Sequence, residues 1–284
     1  DPKYLYLSEK HREAFGHLRF GIKNRSGFAM VTGEIGTGKT TICRTLLNQL
    51  DPDTVLAFVF NPSLSPVELL KRINEEFGID ATPDTALDLV STLNTFLLRA
   101  SAEGKNCVLV IDEAQNLSPQ VLEQIRLLSN LETETEKLLQ IILLGQPELL
   151  EKLALTELRQ LNQRITTRYH LKALDLKETL EYIAYRLHVA GAKNKIRFTK
   201  SAVKAVFKYS QGTPRVINAI CDRALLIGYT RESHTITPRI VAQSAREVQG
   251  EKIKPRKVKK AEASAEGPVT GWKRWLPSPT MILA

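Results

Sequence analysis

Short, continuous apolar runs alternate with stretches in which apolar residues recur every three or four positions. FAMVTG (28–33), TVLAFVF (54–60), NCVLVID (106–112), LLQIILLG (138–145) and ITTRYHL (165–171) predict strands. None alternates strictly between apolar and polar. Runs of that kind suit a parallel sheet covered by helices on both faces. Helical periodicity fills the intervals: Ser8 to about Asn24, Lys39 to Leu50, and near 66–77, 84–102 and 118–130. Ser8 is placed to cap the first helix, with Phe15, Leu18 and Ile22 on one face. After Leu174 the pattern predicts no further strands. Helices at about 175–190, 199–210, 214–230 and 238–248 predict a separate all-helical unit. Thr199, Thr213 and Thr237 are its expected caps, the last two followed by proline at the first helical position. The expected division is therefore an α/β unit over 1–172, a helical unit over 173–250 and a tail over 251–284.

The first strand runs directly into GEIGTGKTT, where Gly33, Gly38, Lys39 and Thr40 match GxxxxGK[ST]. Glycines let the backbone wrap a phosphate with its N–H groups turned inward, and the following helix presents its positive end. Gly36 adds a further glycine, and Thr37 and Thr41 complete the binding segment. Lys39 offers a point charge to the outer phosphates and Thr40 a hydroxyl to Mg²⁺, so ATP or ADP with Mg²⁺ is the expected ligand. A second strand ends in VLVIDEAQ and brings Asp112 to the same sheet edge, where it can hold Mg²⁺ through water. Glu113 follows and can polarise an attacking water. Together with the strand lying between these two in sequence, that glutamate favours hydrolysis over phosphoryl transfer to a small molecule.

Three further positions join the candidate site. The strand LLQIILLG is expected to emerge between the other two, letting Gln146 bond the γ-phosphate or water; the alternative is a polar turn before Pro147. LRQLNQRITTRYHL places Arg159, Arg164 and Arg168 at the far sheet edge. One of them could reach a neighbouring subunit's nucleotide, Arg164 first and Arg168 second, unless each is a surface salt bridge. Arg215, which starts a helix of the helical unit, could fold over the γ-phosphate.

Composition changes little until the charge is divided. The chain is 43% hydrophobic and 25% charged, as in ordinary globular proteins. Its net charge of +9 is concentrated in the tail: residues 251–284 hold eight Lys/Arg against three Glu, while the other 250 carry only +4. A nucleic-acid footprint on the folded part is therefore not expected. Cys43, Cys107 and Cys221 form no CxxC or Cys/His cluster, so buried free thiols are expected instead of a disulfide framework or a zinc site. No apolar run approaches the ~20 residues that span a bilayer, and the opening residues do not read as a signal peptide. The start at Asp1 is expected to reflect a fragment of a longer protein.

In order, GEIGTGKTT, IDEAQNLS, IRLLSNLET, LLQIILLGQPEL, LRQLNQRITTRYHL and GTPRVINAICDRALL resemble the ATPase domain of the general secretion pathway protein A family. The opening YLYLSEKHREAFGHLRFGI is similar to that family's N-terminal box, which helps enclose the adenine. The resemblance covers about residues 1–249. It implies an AAA+ fold with a helical lid, ATP hydrolysis by a ring-like homo-oligomer, and a place on the cytoplasmic face of the bacterial inner membrane. It also implies a partner inner-membrane protein and help with secretin assembly in type II secretion. Peptidoglycan binding belongs to a periplasmic region of the family that this sequence lacks. Two other classes stay open: a DNA-associated ATPase of the transposition or initiator type, and an ATP-dependent scaffold with negligible hydrolysis. The tail bears on the choice. KIKPRKVKK (252–260) carries six basic residues in nine, suited to an anionic leaflet or to a solvated linker. Trp272 and Trp275 suit the headgroup belt, so GWKRWLPSPTMILA is expected to lead towards a membrane span.

Overall fold

The structure is a computed structural model that describes residue 4 and residues 6–250, apart from 48, 61–63, 135, 193 and 194. The expected linker and membrane-proximal tail, 251–284, lie outside the described residues. In chain order the first unit runs α1 (Glu9–Lys23), β1 (Phe28–Gly33), α2 (Lys39–Leu47), β2 (Thr54–Val59), α3 (Pro66–Glu76) and α4 (Ala86–Ala102). It continues through β3 (Asn106–Ile111), α5 (Pro119–Leu128), β4 (Leu139–Gly145), α6 (Glu148–Leu153), α7 (Arg159–Arg164) and β5 (Thr167–Leu171).

The five strands form one parallel sheet in the order β2-β3-β4-β1-β5. The strand bearing Gln146 at its exit does lie between the other two. Register sets the strand ends side by side: Thr32 pairs with Gly145, Gly33 with Leu171, and Ile111 with Leu143. Successive side chains in a strand point to opposite faces, and here both faces are covered. Phe28, Met30, Leu109, Ile111, Ile141 and Leu143 join one core with residues of α3, α4 and α5. Their neighbours Ala29, Val31, Val108, Val110, Ile142 and Leu144 join another with Leu18 and Ile22 of α1 and Ile42 and Leu46 of α2. Two buried faces are why the apolar runs are continuous.

The helical unit comprises α8 (Leu176–Val189), α9 (Lys200–Ser210), α10 (Pro214–Thr230) and α11 (Pro238–Val248) around a third core of Ile217, Ile220, Val206 and Val241. Strands do not stop at Leu174, contrary to expectation. β6 (Arg197–Phe198) and β7 (Thr235–Ile236) pair in parallel, two residues each, too short for any periodicity to register. Capping follows the sequence in part. Ser8 forms a reciprocal capping box with His11, and Thr199 accepts from the Ala202 N–H. Thr213 and Thr237 occupy the expected cap positions, but neither hydroxyl makes a cap bond. Proline at the next position supplies the helical φ instead. Helix α2 ends at Leu47, short of the expected Leu50, and α6 and α7 were not anticipated. Among the described residues no helix is long and apolar enough to cross a membrane.

Two connections join the units. Residues 172–174 lead from β5 into the helical unit, where Leu174 is part of the third core. Ahead of α1, Tyr6 packs against that same core, and its hydroxyl donates to Glu181 Oε2 at 2.6 Å.

Candidate nucleotide site

The loop between β1 and α2 supplies the centre of the site. Gly36 and Gly38 hold φ of +80° and +103°, the left-handed side that glycine adopts without a Cβ penalty. Gly36 has a second constraint. A Cβ there would stand 2.6 Å from Arg215 Cβ, because α10 begins directly against the loop. The Arg215 N–H donates to Gly36 O at 3.2 Å. Arg215 is thus brought to the site, backbone and side chain together.

Lys39 is buried at the start of α2, its Nζ donating to Gly33 O at 2.7 Å and Glu34 O at 3.1 Å. Desolvation lowers its pKa, opposed by the Glu113 and Asp112 carboxylates. An ammonium with two loop carbonyls, and negative charge across from it, is suited to exchange those carbonyls for phosphate oxygens.

Thr40 Oγ1 donates to Asp112 Oδ2 at 2.6 Å, and Asp112 Oδ1 accepts the Glu113 N–H at 2.9 Å. A hydroxyl and one carboxylate oxygen side by side are hard oxygen donors of the kind Mg²⁺ takes beside phosphates and waters. The described residues hold no cluster of three or more His, Cys, Asp or Glu placed for a metal. A divalent ion here would therefore be held mainly by ligand and water, which is how Mg²⁺ binds. The donor set fits.

Glu113 has a left-handed backbone, φ 54° and ψ 38°, on leaving β3. Its Oε2 accepts from Gln115 Nε2 at 2.6 Å and from Gln146 Nε2 at 3.2 Å. Gln146, expected from its strand position to meet the γ-phosphate or water, lies beside the candidate base. Gln115, to which no role was assigned from sequence, lies closer.

Gly36, Gly38, Lys39, Thr40, Glu113 and Arg215 line one end of a cavity of about 460 Å³, within the range of small-molecule sites. Thr37 and Thr41 line it with the glycines, Lys39 and Thr40. The other end is aromatic: Tyr4 and Tyr6 come from the N-terminal segment, and Tyr182, Arg186 and Asn218 from α8 and α10. Tyr182 OH donates to Asn218 Oδ1 at 2.9 Å and accepts from Arg186 Nη1 at 3.2 Å. The Arg186 guanidinium also lies 5.0 Å from the Tyr4 ring centroid. His11 is the link between the ends: Ser8 N–H donates to its Nδ1, and its Nε2 lies 3.4 Å from Thr37 O. Of these residues, the N-terminal box was signalled only by its resemblance, and Tyr182, Arg186 and Asn218 gave no sequence signal. Their convergence is tertiary.

Arg164 and Arg168 are not brought to this cavity. β5 begins level with the start of β1, Thr167 pairing with Ala29, so both arginines lie towards the end of the sheet opposite the loop. Arg164 donates to Ser129 Oγ at 2.7 Å, and Arg168 to Asn162 Oδ1 at 2.7 Å. Neither forms the surface ion pair weighed from sequence among the described residues' salt bridges. Arg159, on the first turn of α7, is exposed. The structure thus excludes both arginines from their own chain's site.

The sheet order, the loop and the helical unit over it form an AAA+ P-loop fold, and comparison agrees. A family of AAA domains matches residues 22–153. General secretion pathway protein A of Aeromonas hydrophila is 48% identical over 251 residues, 88% of this chain. The chain is a relative of general secretion pathway protein A. It spans 46% of that relative's length. More distant likeness is to solved structures at the level of fold. Cdc6p from Pyrobaculum aerophilum superposes with a TM-score of 0.64 at 18% identity, covering 87% of this chain and 70% of that one. The Aeropyrum pernix ORC2 protein does so with 0.63 at 16% identity, covering 84% and 68%. The Thermotoga maritima RuvB branch migration motor gives 0.55 at 18% identity, covering 85% and 69%.

Proposed function

We propose that this chain binds and hydrolyses ATP, and that hydrolysis serves the general secretion pathway. The observation that carries the reading is the convergence of Lys39, Thr40 and Glu113 on one cavity, with Asp112 accepting from the Thr40 hydroxyl. Backbone N–H groups of the loop and Lys39 bind the phosphates. Thr40 and Asp112 would hold a divalent ion such as Mg²⁺, which would supply charge neutralisation for the phosphates. Glu113 orients a water and accepts its proton, and Gln146 sits beside it. Arg215 carries the position of the helical unit to the phosphates. Arg164, with Arg168 second, acts on the nucleotide of a neighbouring copy. The aromatic end, Tyr4, Tyr6 and Tyr182, encloses the base.

At larger scale we propose, from the motif resemblance, an oligomeric ATPase at the cytoplasmic face of a bacterial inner membrane, acting with a partner membrane protein in secretin assembly. Residues 1–172 would be the catalytic unit, 173–250 a lid and 251–284 a basic link to the membrane. Glu113→Gln tests the chemical core of the proposal. Nucleotide affinity stays within about twofold while turnover falls by at least ~10²-fold, comparable to loss of a general base. In cells lacking the native protein, the same variant fails to restore secretion. Normal turnover would remove Glu113 from its role.

A further inference from the structure

We propose that Gln115 is the positioning residue for Glu113, clamping the carboxylate through one oxygen so that the other faces the water it must deprotonate. The inference rests on the reading of Glu113 as the water-orienting base. Its geometry is independent of that reading.

Gln115 uses both ends of its amide. Nε2 donates to Glu113 Oε2 at 2.6 Å, while Oε1 accepts the backbone N–H of Gln146 at 3.0 Å. These partners fix the amide's orientation, since the flipped amide would set a carbonyl oxygen against a carboxylate and an NH₂ against an N–H. The clamp is anchored from behind. Lys152 of α6 donates to the backbone carbonyls of Gln115 and Leu117, fixing the short 3₁₀ turn Ala114–Asn116. Gly145 makes room for it, because a Cβ there would lie 3.2 Å from Gln115 Oε1. One side chain therefore spans from the exit of β3 to the exit of β4.

Glu113 needs such a clamp. Its left-handed backbone is unusual for a residue with a Cβ, and a glutamate has three rotatable bonds between backbone and carboxylate. Both amide donors, from Gln115 and Gln146, take Oε2. Oε1 is then the oxygen left to accept a proton from water. The Gln115 bond is the shorter of the two, and its other end ties the carboxylate to the strand that carries Gln146. Gln146 alone, at 3.2 Å, lacks that second attachment. Sub-ångström placement of a catalytic group is worth up to ~10² in rate.

The test uses ATP turnover by the full chain at saturating Mg²⁺, with a fluorescent ATP analogue reporting affinity. Gln115→Ala should lower kcat about 10- to 100-fold, with KM and analogue affinity within about twofold of the wild type. Gln115→Glu keeps the shape but sets a carboxylate against Glu113. A carboxylate has no N–H to donate to Glu113 Oε2, so kcat should fall at least as far as in Gln115→Ala, with KM and analogue affinity again within about twofold of the wild type. A merely structural glutamine would tolerate this isosteric change with kcat near the wild-type value. An unchanged kcat in Gln115→Ala overturns the proposal, as does a fall in kcat matched by loss of analogue affinity or of thermal stability. Glu113→Gln serves as the control. If it turns over normally, the base assignment fails and the clamp fails with it. If it is inactive while Gln115→Ala behaves as wild type, the clamp alone fails.

Discussion

Gly36 shows at the scale of a residue why the loop motif is demanding. Its φ of +80° belongs to a tight phosphate-binding turn, and its missing Cβ is where α10 docks. Alanine would pay the left-handed penalty of roughly 1–2 kcal/mol and would also push Arg215 away from the loop. Gly36→Ala is therefore expected to lower the melting temperature by about 2–8 °C, at about 2–4 °C per kcal/mol. It should also weaken nucleotide binding about tenfold or more, as read by calorimetry. Gly38 separates the two effects: its φ is +103°, yet a Cβ there meets nothing within 4 Å. Gly38→Ala should cost comparable stability from strain while leaving the Arg215 contact in place. Residues that carry the motif, Gly33 to Thr41 with Asp112 and Glu113, were legible because backbone wrapping and charge fix their types and spacing. Gln115, His11, Tyr182 and Asn218 were not. Each is an ordinary polar or aromatic residue locally, and becomes part of the site only when strands and helices far apart in sequence converge.

At the scale of elements, β1 to β4 were legible as unbroken apolar runs in a covered sheet, whereas the edge strand β5, Thr-Arg-Tyr-His-Leu with exposed residues in alternation, carries no such run. Helices α6 and α7, six residues each, are too short to show a period, and the β6–β7 ladder owes its existence to the packing of the helical unit. The three thiols report on the long elements directly. Burial pushes Cys43 on α2 up to about 12, Cys107 on β3 to about 11 and Cys221 on α10 to about 12, from the usual 9.0. A thiol with a raised folded pKa binds its proton more tightly folded than unfolded. Stability from this source is therefore constant below about pH 9 and falls as pH rises through 9 towards 11–12, by up to ~1.4 kcal/mol per pH unit for each thiol. Urea midpoints measured from pH 7 to pH 11 should be flat and then decline above 9. At pH 8 a thiol reagent should label the buried Cys43 and Cys107 slowly in the native protein and fast in the urea-unfolded chain, with the partly buried Cys221 between. Prompt native labelling of Cys43 or Cys107 would show that α2 or β3 opens locally.

For the whole molecule, the position of Arg164 and Arg168 away from their own cavity makes a statement about assembly. If an arginine from a neighbour completes the site, specific activity rises with protein concentration until oligomers are saturated. A flat specific activity from nanomolar to tens of micromolar would sink the idea. Mixing is sharper still. Glu113→Gln keeps its arginine and Arg164→Ala keeps its base, so a mixture of the two inactive variants should recover a fraction of wild-type turnover. The overall plan, a parallel sheet followed by a helical unit, was readable from the order of the apolar patterns. The path of the N-terminal segment was not, because Tyr6 belongs by sequence to the first unit and by packing to the second.

That path gives the helical unit two tethers instead of one. The chain crosses between the units at Tyr6–Ser8 and again at residues 172–174, so the unit cannot swing freely as a bead on a single string. A rigid body pinned at two points keeps one easy motion, rotation about the line through the pins. Opening the cavity then means turning about that axis, which sets Arg215 on an arc past Gly36. Nucleotide exchange would have a geometry fixed by one covalent link and one packed, hydrogen-bonded contact at Tyr6.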